Sequence, residues 1–260
     1  MVNPRKTASQ PPALRPLDAA VGFLRSHADI ALPLYIVGVA PMSLAMLFII
    51  DAVSAARYSA LSEGAAMLAL ATVWKWIFSA ATQARIQRKL TGAQGAPLRG
   101  RIVAIVCVKL AASVIMLWGS FIILPFIYGF FLSGLAAPIL LDRDGAAVDE
   151  AEWILKWVSG AMNQAVKILS AIFVLFFIAE LGFGLLQLVV TRLIMPSFLG
   201  MDPTELSLTL TSAAWNMAII YILFLIFDFY WTVASVMLYY EIQSRRVGVD
   251  ISARLAAMGG

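Results

Sequence analysis

The 260-residue chain is 62% hydrophobic and 13% charged, whereas soluble domains are about 45–50% apolar and about 25% charged. Its mean hydropathy of +0.88 is too high for a single soluble core and predicts a membrane protein. At about 20 residues a span, the length allows about six membrane spans and no separate soluble catalytic domain. The net charge of +4 is expected to reflect membrane topology, and no nucleic-acid partner is predicted.

The start of the chain leads into the membrane. Residues 1–16 are basic and rich in proline, which predicts a flexible cytoplasmic tail. Apolar residues at helical spacing follow in 17–28 and predict a short amphipathic helix at the membrane interface. The apolar face of this helix is predicted to hold Leu17, Val21, Leu24 and Ala28. A second amphipathic helix is predicted over 145–160, and both helices are candidate surfaces for protein partners.

Six apolar runs have the length expected of membrane spans. They cover residues 30–50, 64–82, 102–124, 126–141, 163–190 and 212–240. The predicted fold is therefore all-α, with a single six-span membrane domain over 17–250 and a cytoplasmic tail over 251–260. A basic loop containing glycine is predicted over 83–101. Only Pro125 separates the third and fourth runs, which predicts either a full hairpin or a broken, re-entrant pair.

Lysine and arginine are distributed unequally across this topology. Fifteen of them fall on the side that holds both termini, and two, Arg57 and Arg192, fall on the opposite side. Cytoplasmic connections of membrane proteins carry an excess of these residues. Both termini are therefore predicted to be cytoplasmic.

Four ionisable residues lie deep within the predicted spans: Lys75, Lys109, Glu180 and Asp228. A charge at the centre of a span costs roughly 2.5–3.5 kcal/mol, so each needs a partner, a wet cavity or access to the interface. Lys75 and Lys109 lie roughly 12 Å, and Asp228 roughly 18 Å, from the cytoplasmic ends of their spans. We expect these three to form one polar cluster, with Asp228 paired to either lysine. Alternatively, the lysines reach the headgroups and Asp228 meets only neutral polar neighbours.

Glu180 is separate from this predicted cluster. It lies beyond the midplane of its span, in the sequence AELGFG. The neighbouring glycines would let another helix approach closely. We expect a structural hydrogen bond for Glu180 in preference to an ion site.

The sequence carries no arrangement of side chains typical of an enzyme, a cofactor site or a metal site. It contains one histidine, His27, and one cysteine, Cys107. Zinc sites need more ligands of these types, and histidine is the most frequent general base. We therefore predict a non-enzymatic protein without catalytic, cofactor-binding or metal-binding residues. Cys107 lies in an apolar run and is expected to be a small, buried hydrophobic residue.

Two segments resemble a known pattern. The first runs from LPFIY, which contains Pro125, to APILLD, which contains Pro138 and ends at Asp142. The second is LYYEI, followed by RRVGVD, which contains Arg245 and Arg246. Together they resemble the glycerophosphoryl diester phosphodiesterase membrane-domain family and its bacterial relatives. The resemblance implies a six-helix bacterial inner-membrane protein. It does not imply hydrolase activity, because the phosphodiesterase domain has no counterpart in these residues.

The same segments also carry structural expectations. Both prolines are predicted to break helices and to leave backbone carbonyls that need other partners. Tyr239 and Tyr240 lie where an aromatic belt is expected, and Arg245 and Arg246 lie where they can bind anionic headgroups. The predicted function is that of a scaffold or subunit of an envelope complex. The alternative, favoured by the intramembrane charges and the proline-broken hairpin, is a transporter of lipid or a small amphiphile.

Overall fold

The structure, a computed structural model, describes residues 15–92, 98–119, 123–142 and 213–247, together with separate helical residues between 166 and 189. These residues are almost entirely helical and include no strand, which confirms the all-α prediction. The helices described from end to end are α1, Arg15–Ser54; α2, Leu61–Thr91; α3, Ile102–Gly119; α4, Ile123–Asp142; and α5, Ala213–Val247. Short 3-10 turns precede α2 and α3, at Tyr58–Ala60 and Leu98–Gly100.

Three segments of the described chain are long and apolar enough to cross a membrane: Pro16–Ser54, Tyr58–Thr91 and Trp215–Ile242. The fold is therefore that of a helical membrane protein. The helices α3 and α4 are shorter and apolar, and they pack along each other as a hairpin. A further apolar stretch, Phe177–Leu186, lies within the predicted fifth span.

Several predictions lie outside the described residues. They concern most of the tail 1–16, the amphipathic helix 145–160, Glu180 and the tail 251–260.

The first helix, α1, is bent at His27, whose φ of −140° and ψ of 32° are not helical. The kink falls where the predicted interfacial helix meets the first span. In the first segment the buried side chains are Leu17, Ala20 and Phe23, while Val21 is exposed. The predicted apolar face was therefore wrong in part. Apolar residues occur on more than one side of this segment, so composition alone could not select the side that packs.

The second helix, α2, continues to Thr91, well past residue 82 where the predicted span ends. The prediction of a loop from residue 83 was therefore wrong for this stretch. Arg85, Arg88 and Lys89 lower its hydropathy, but they occupy an exposed face while the opposite face is buried. The helix ends at Gly92, which has φ +66°, the left-handed conformation in which glycine commonly ends a helix.

The two prolines occupy different positions in α4. Because α4 begins at Ile123, Pro125 lies in its first turn. Its missing N–H removes no intrahelical hydrogen bond there. Pro138 lies inside the helix, which continues to Asp142. Pro138 therefore does not end α4, but it leaves the carbonyl of Gly134 without its intrahelical donor.

The outward face of α3 includes Cys107, which is exposed. The expectation that it would be buried was wrong. Val103 and Leu110, on the same side of the helix, are also exposed, at 73% and 55%. In a membrane protein an apolar side chain can face lipid as readily as protein, so an apolar context does not determine its burial.

The chain divides into two compact units. Unit 1 comprises Met1–Gly38, Val73–Leu169 and Phe229–Gly260. Unit 2 comprises Val39–Thr72 and Ser170–Asp228.

The centre of unit 1 is the part of α5 from Trp231 to Tyr240, where every residue is buried. Protein encloses this part of α5 on all sides. Tyr239 and Tyr240 are 2% and 8% exposed. The prediction that they form an interfacial aromatic belt was therefore wrong, because they lie inside the protein.

In unit 2, α1 ends in a left-handed turn at Ala56, which has φ 52°. The N–H of Ala56 donates to Val53 O at 3.1 Å, and the N–H of Arg57 donates to Ala52 O at 2.8 Å. This pair of hydrogen bonds defines a helix end at which glycine is the usual residue. An alanine Cβ is strained at positive φ.

We expect Ala56→Gly to raise the free energy of unfolding by about 0.5–1 kcal/mol, because glycine adopts this φ without strain. The measurement is unfolding by sodium dodecyl sulfate in mixed micelles, followed by circular dichroism. The matched control is Ala52→Gly in the same helix. It should lower the free energy of unfolding, because Ala52 is fully buried and helical and glycine is unfavourable inside a helix. A free energy of unfolding lower for Ala56→Gly than for the unsubstituted protein would contradict the left-handed helix end at Ala56.

Candidate functional site: a buried polar stripe in unit 1

One face of α2 carries a buried polar side chain at every fourth residue. We call Lys75, Ser79, Gln83 and Gln87 the polar stripe; their exposed fractions are 7%, 5%, 1% and 6%. Residues four apart share one side of a helix, so the stripe follows a single side of α2. Polar groups in this position need partners within the protein, because neither lipid nor a packed interior replaces their hydrogen bonds to water.

Gln83 contacts two neighbouring helices. Its Nε2 donates to Gly134 O of α4 at 3.0 Å and to Ser235 Oγ of α5 at 2.7 Å. A longer contact of 3.4 Å joins Nε2 to Thr232 O. Gly134 O is the carbonyl that Pro138, which has no N–H, leaves without a donor in its own helix. Gln83 therefore supplies from α2 the donor that α4 lacks.

These partners determine the orientation of the Gln83 amide. The carbonyls of Gly134 and Thr232 can only accept, so the amide must present Nε2 to them. Its Oε1 atom is buried and makes no hydrogen bond within the described part of the chain. An acceptor buried in this way costs free energy, so the benefit of Gln83 comes from the hydrogen bonds that it donates.

The contact between α2 and α4 is repeated one turn later. Gln87 Nε2 donates to Pro138 O at 2.8 Å. Glutamines four residues apart on α2 therefore bind carbonyls four residues apart on α4. One turn before Gln83, Ser79 Oγ lies 3.4 Å from Thr232 Oγ1 of α5. The polar stripe thus joins α2 to both α4 and α5.

The two lysines of the predicted spans are both buried in unit 1. Lys75 is 7% exposed and Lys109 is 4% exposed, so neither side chain extends outward in the way that access to headgroups would require. Asp228 is half-buried and belongs to unit 2. Its pairing with either lysine stays a prediction. Arg245 and Arg246 lie near the end of α5, and their contact with headgroups also stays a prediction.

Two further side chains hold the end of α4. Arg101, which precedes α3, donates from Nη1 to Leu140 O, one of the last carbonyls of α4 that no N–H of its own helix can reach. Tyr239 of α5 donates to Asp142 Oδ2 at 2.5 Å. Leu140 and Asp142 belong to the first segment of the resemblance and Tyr239 to the second. The structure therefore brings the two segments into contact.

We expect Tyr239→Phe to lower the free energy of unfolding by about 1–2 kcal/mol, because hydrogen bonds to charged acceptors contribute about 1.5–3 kcal/mol and exposure weakens them. Asp142 is exposed in the structure, which places the effect toward the lower end. A double-mutant cycle with Asp142→Asn, measured by detergent unfolding, isolates this pair. Independent, additive effects of the two substitutions would show that the hydrogen bond contributes nothing.

Two glycines of α4 permit close packing against neighbouring helices. A Cβ atom on Gly129 would lie 2.7 Å from Ala112 O and 3.0 Å from Met116 N, which are backbone atoms of α3. A Cβ atom on Gly134 would lie 2.5 Å from Trp231 Nε1 of α5. Small residues at membrane helix contacts allow such approaches. Gly134 also exposes the carbonyl that Gln83 binds, so close packing and hydrogen bonding coincide there.

Sequence reasoning missed Ser79, Gln83 and Gln87 as site residues. Hydropathy placed both glutamines in a loop, where side chains are normally solvated. The available signal was the spacing K-x3-S-x3-Q-x3-Q, which places polar residues on one side of a helix. Composition over the same window hides this signal, because the opposite side is basic.

The fold and the polar stripe define a class of protein: a helical membrane protein whose buried polar side chains join its helices. Comparison with protein-family models, curated proteins and solved structures finds no match to this chain. The resemblance noted above stays a prediction that rests on its two segments. Within the described residues, no group of three or more His, Cys, Asp or Glu side chains could hold a metal ion.

Proposed function

We propose that the chain is a non-enzymatic, six-span protein of the bacterial inner membrane with cytoplasmic termini, and that it is a scaffold or subunit of an envelope complex. The observation that supports a scaffold is the polar stripe. Gln83 and Gln87 donate to backbone carbonyls of α4, and hydrogen bonds of this kind hold membrane helices in register. Helices held in this way can present a constant surface to a partner.

The first segment of α1 offers such a surface. Its buried side packs against protein through Leu17 and Phe23, while Asp18, Val21 and Arg25 on the other side are exposed. The rim of a protein interface is polar and accessible to solvent, and the exposed side of this segment meets both conditions. We propose that an envelope partner binds here.

Site-specific photo-crosslinking in native membranes tests this proposal. A photoreactive residue at Val21, which is 39% exposed, should give one defined protein adduct. The matched control is Phe23, two residues away and 2% exposed, which should give none. The partner should also accompany the chain through mild extraction at constant stoichiometry. A chain that always purifies alone, with only lipid adducts at Val21, would exclude the scaffold function.

Transport of a lipid or small amphiphile is the second candidate, favoured by the burial of Lys75 and Lys109. Charged residues within membrane helices often mark substrate or ion pathways. In proteoliposomes, a transporter should move a fluorescent lipid faster than empty liposomes do, and Lys109→Met should abolish this flux. The control is Leu110→Met on the exposed side of the same helix. Flux that is lost in Lys109→Met and kept in Leu110→Met would favour a transporter over a scaffold. No flux in the unsubstituted protein would exclude transport of that lipid.

A further inference from the structure

The last turns of α2 carry a cationic face. Arg85, Arg88 and Lys89 are all exposed, and Arg88 and Lys89 follow Arg85 by three and four residues, which places them on its side of the helix. Gln83 and Gln87 occupy the opposite, buried side. None of the three cations forms an ion pair with another residue in the described part of the chain. We call Arg85, Arg88 and Lys89 the basic face.

The length of α2 places the basic face at the membrane surface. The apolar part of the helix, 64–82, is about 28 Å long at 1.5 Å per residue, close to the hydrocarbon thickness of about 30 Å. Arg85 lies about 5 Å and Lys89 about 10 Å beyond its end. The headgroup layer on each side is about 5–8 Å deep. Arg85 therefore lies at the level of the lipid phosphates, and the backbone of Lys89 lies just beyond them, within reach of its long side chain.

We propose that the basic face binds anionic phospholipids through their headgroup phosphates. The guanidinium groups of Arg85 and Arg88 can each donate two parallel hydrogen bonds to a phosphate, and Lys89 adds a compact positive charge. The hydrogen bonds of the polar stripe on the opposite side of α2 hold the basic face toward the outside. The binding face is therefore part of a fixed helix and needs no ordering of a loop.

The residues that precede the basic face indicate lipid as its occupant. Phe78 and Trp74 lie seven and eleven residues before Arg85, which places them on the same side of α2. Trp74 is 44% exposed and its ring packs on Phe78 at 4.8 Å between centroids. Phe78 is half-buried, and Trp74 Nε1 donates to Val37 O of α1 at 3.2 Å. The exposed part of the Trp74 ring is therefore the apolar surface that lies within the span on the same side of α2 as the cations. A phospholipid presents the matching order of groups, with acyl chains followed by phosphate.

Native mass spectrometry of the full chain, equilibrated with equal amounts of phosphatidylglycerol and phosphatidylcholine, tests the proposal. The unsubstituted protein should retain phosphatidylglycerol preferentially. The triple variant Arg85→Gln, Arg88→Gln, Lys89→Gln should lose this preference, by roughly fivefold for each charge removed at low salt. The charge-conserving variant Arg85→Lys, Arg88→Lys should keep most of it.

An unchanged lipid preference in the triple variant would overturn the proposal. A triple variant that keeps its lipid preference but loses a co-purifying acidic protein would overturn it as well and assign the face to that partner. Where the triple variant does not fold, Lys89→Gln alone and a salt titration of the unsubstituted protein decide the matter. Both should reduce the preference, since charge interactions at an exposed surface are screened, and a preference insensitive to both would contradict the proposal.

Discussion

Replacing Gln83 by methionine is expected to lower the free energy of unfolding by about 1–2 kcal/mol. Methionine fills a similar volume but cannot donate a hydrogen bond. Gly134 O, which Pro138 already deprives of its helical donor, then becomes a buried acceptor without a partner, and Ser235 loses a partner as well. Removal of the buried Oε1 atom offsets part of this loss, which keeps the expected effect below that of two full hydrogen bonds.

The effect of Gln83→Met is measured as the shift of the unfolding transition in mixed micelles of dodecyl sulfate and a mild detergent. The matched control is Leu70→Met, because Leu70 is 75% exposed on the same helix. A substitution at an exposed position should change the stability by no more than about 0.5 kcal/mol. An equal loss for both variants would mean that α2 tolerates methionine poorly and that the hydrogen bonds are not the cause.

Replacing Gly129 by alanine is expected to lower the free energy of unfolding by about 1–3 kcal/mol, because the added Cβ overpacks the contact between α3 and α4. The atoms that it would meet, Ala112 O and Met116 N, belong to the backbone and cannot rotate away. The helices must therefore move apart, which weakens their packing along the hairpin. Gly129→Val should cost more than Gly129→Ala, because it adds further atoms at the same place.

Gly22→Ala is the matched control for Gly129→Ala. No atom lies within 4 Å of a Cβ built on Gly22, and alanine favours the helix over glycine by up to about 1 kcal/mol. Gly22→Ala should therefore leave the stability unchanged or raise it. Equal stability of Gly129→Ala and the unsubstituted protein would show that α3 and α4 do not approach as closely as the structure has them.

Hydropathy predicted the main features of this fold because membrane spans are defined by apolar composition. The predicted spans 30–50 and 64–82 lie within two of the segments long enough to cross a membrane, and the predicted span 212–240 overlaps the third, Trp215–Ile242. The kink at His27 also falls at the predicted end of the interfacial segment. These features depend on local composition, which a single sequence contains in full.

The polar stripe could not be predicted by the same reasoning. Gln83 and Gln87 lie beside Arg85, Arg88 and Lys89, so a window over this stretch is polar throughout. Only the assignment of the buried side, which depends on α4 and α5, separates the glutamines from the cations. The burial of the two glutamines depends on tertiary contacts, whereas local composition predicts that they are solvated.

Pro138 illustrates the limit of a correct local argument. Its chemistry predicts a carbonyl that lacks a donor in its own helix. The sequence does not show that the donor is Gln83, which lies on another helix 51 residues from the acceptor. Tyr239 is a similar case: an aromatic residue near the end of a span suggests an interfacial belt, but Tyr239 is 2% exposed and therefore lies inside the protein, where it donates a hydrogen bond to Asp142.

The burial of Lys75 and Lys109 changes the interpretation of the intramembrane charges. Sequence depth alone allowed both lysines to reach the headgroups, but their side chains are enclosed in unit 1. Lys75 also continues the polar stripe one turn beyond Ser79. The lysine is therefore part of the same side of α2 that joins α4 and α5, which favours a structural role for it.

The coupling between Gln83→Met and Pro138→Ala tests the central claim, that Gln83 replaces the donor that Pro138 removes. Alanine at position 138 restores an N–H that can reach Gly134 O within α4. Gln83→Met should then cost about 1 kcal/mol less in the Pro138→Ala protein than in the unsubstituted protein. Gln87→Met, whose lost acceptor is Pro138 O, should cost the same in both. If Pro138→Ala leaves the cost of Gln83→Met unchanged, the claim is contradicted.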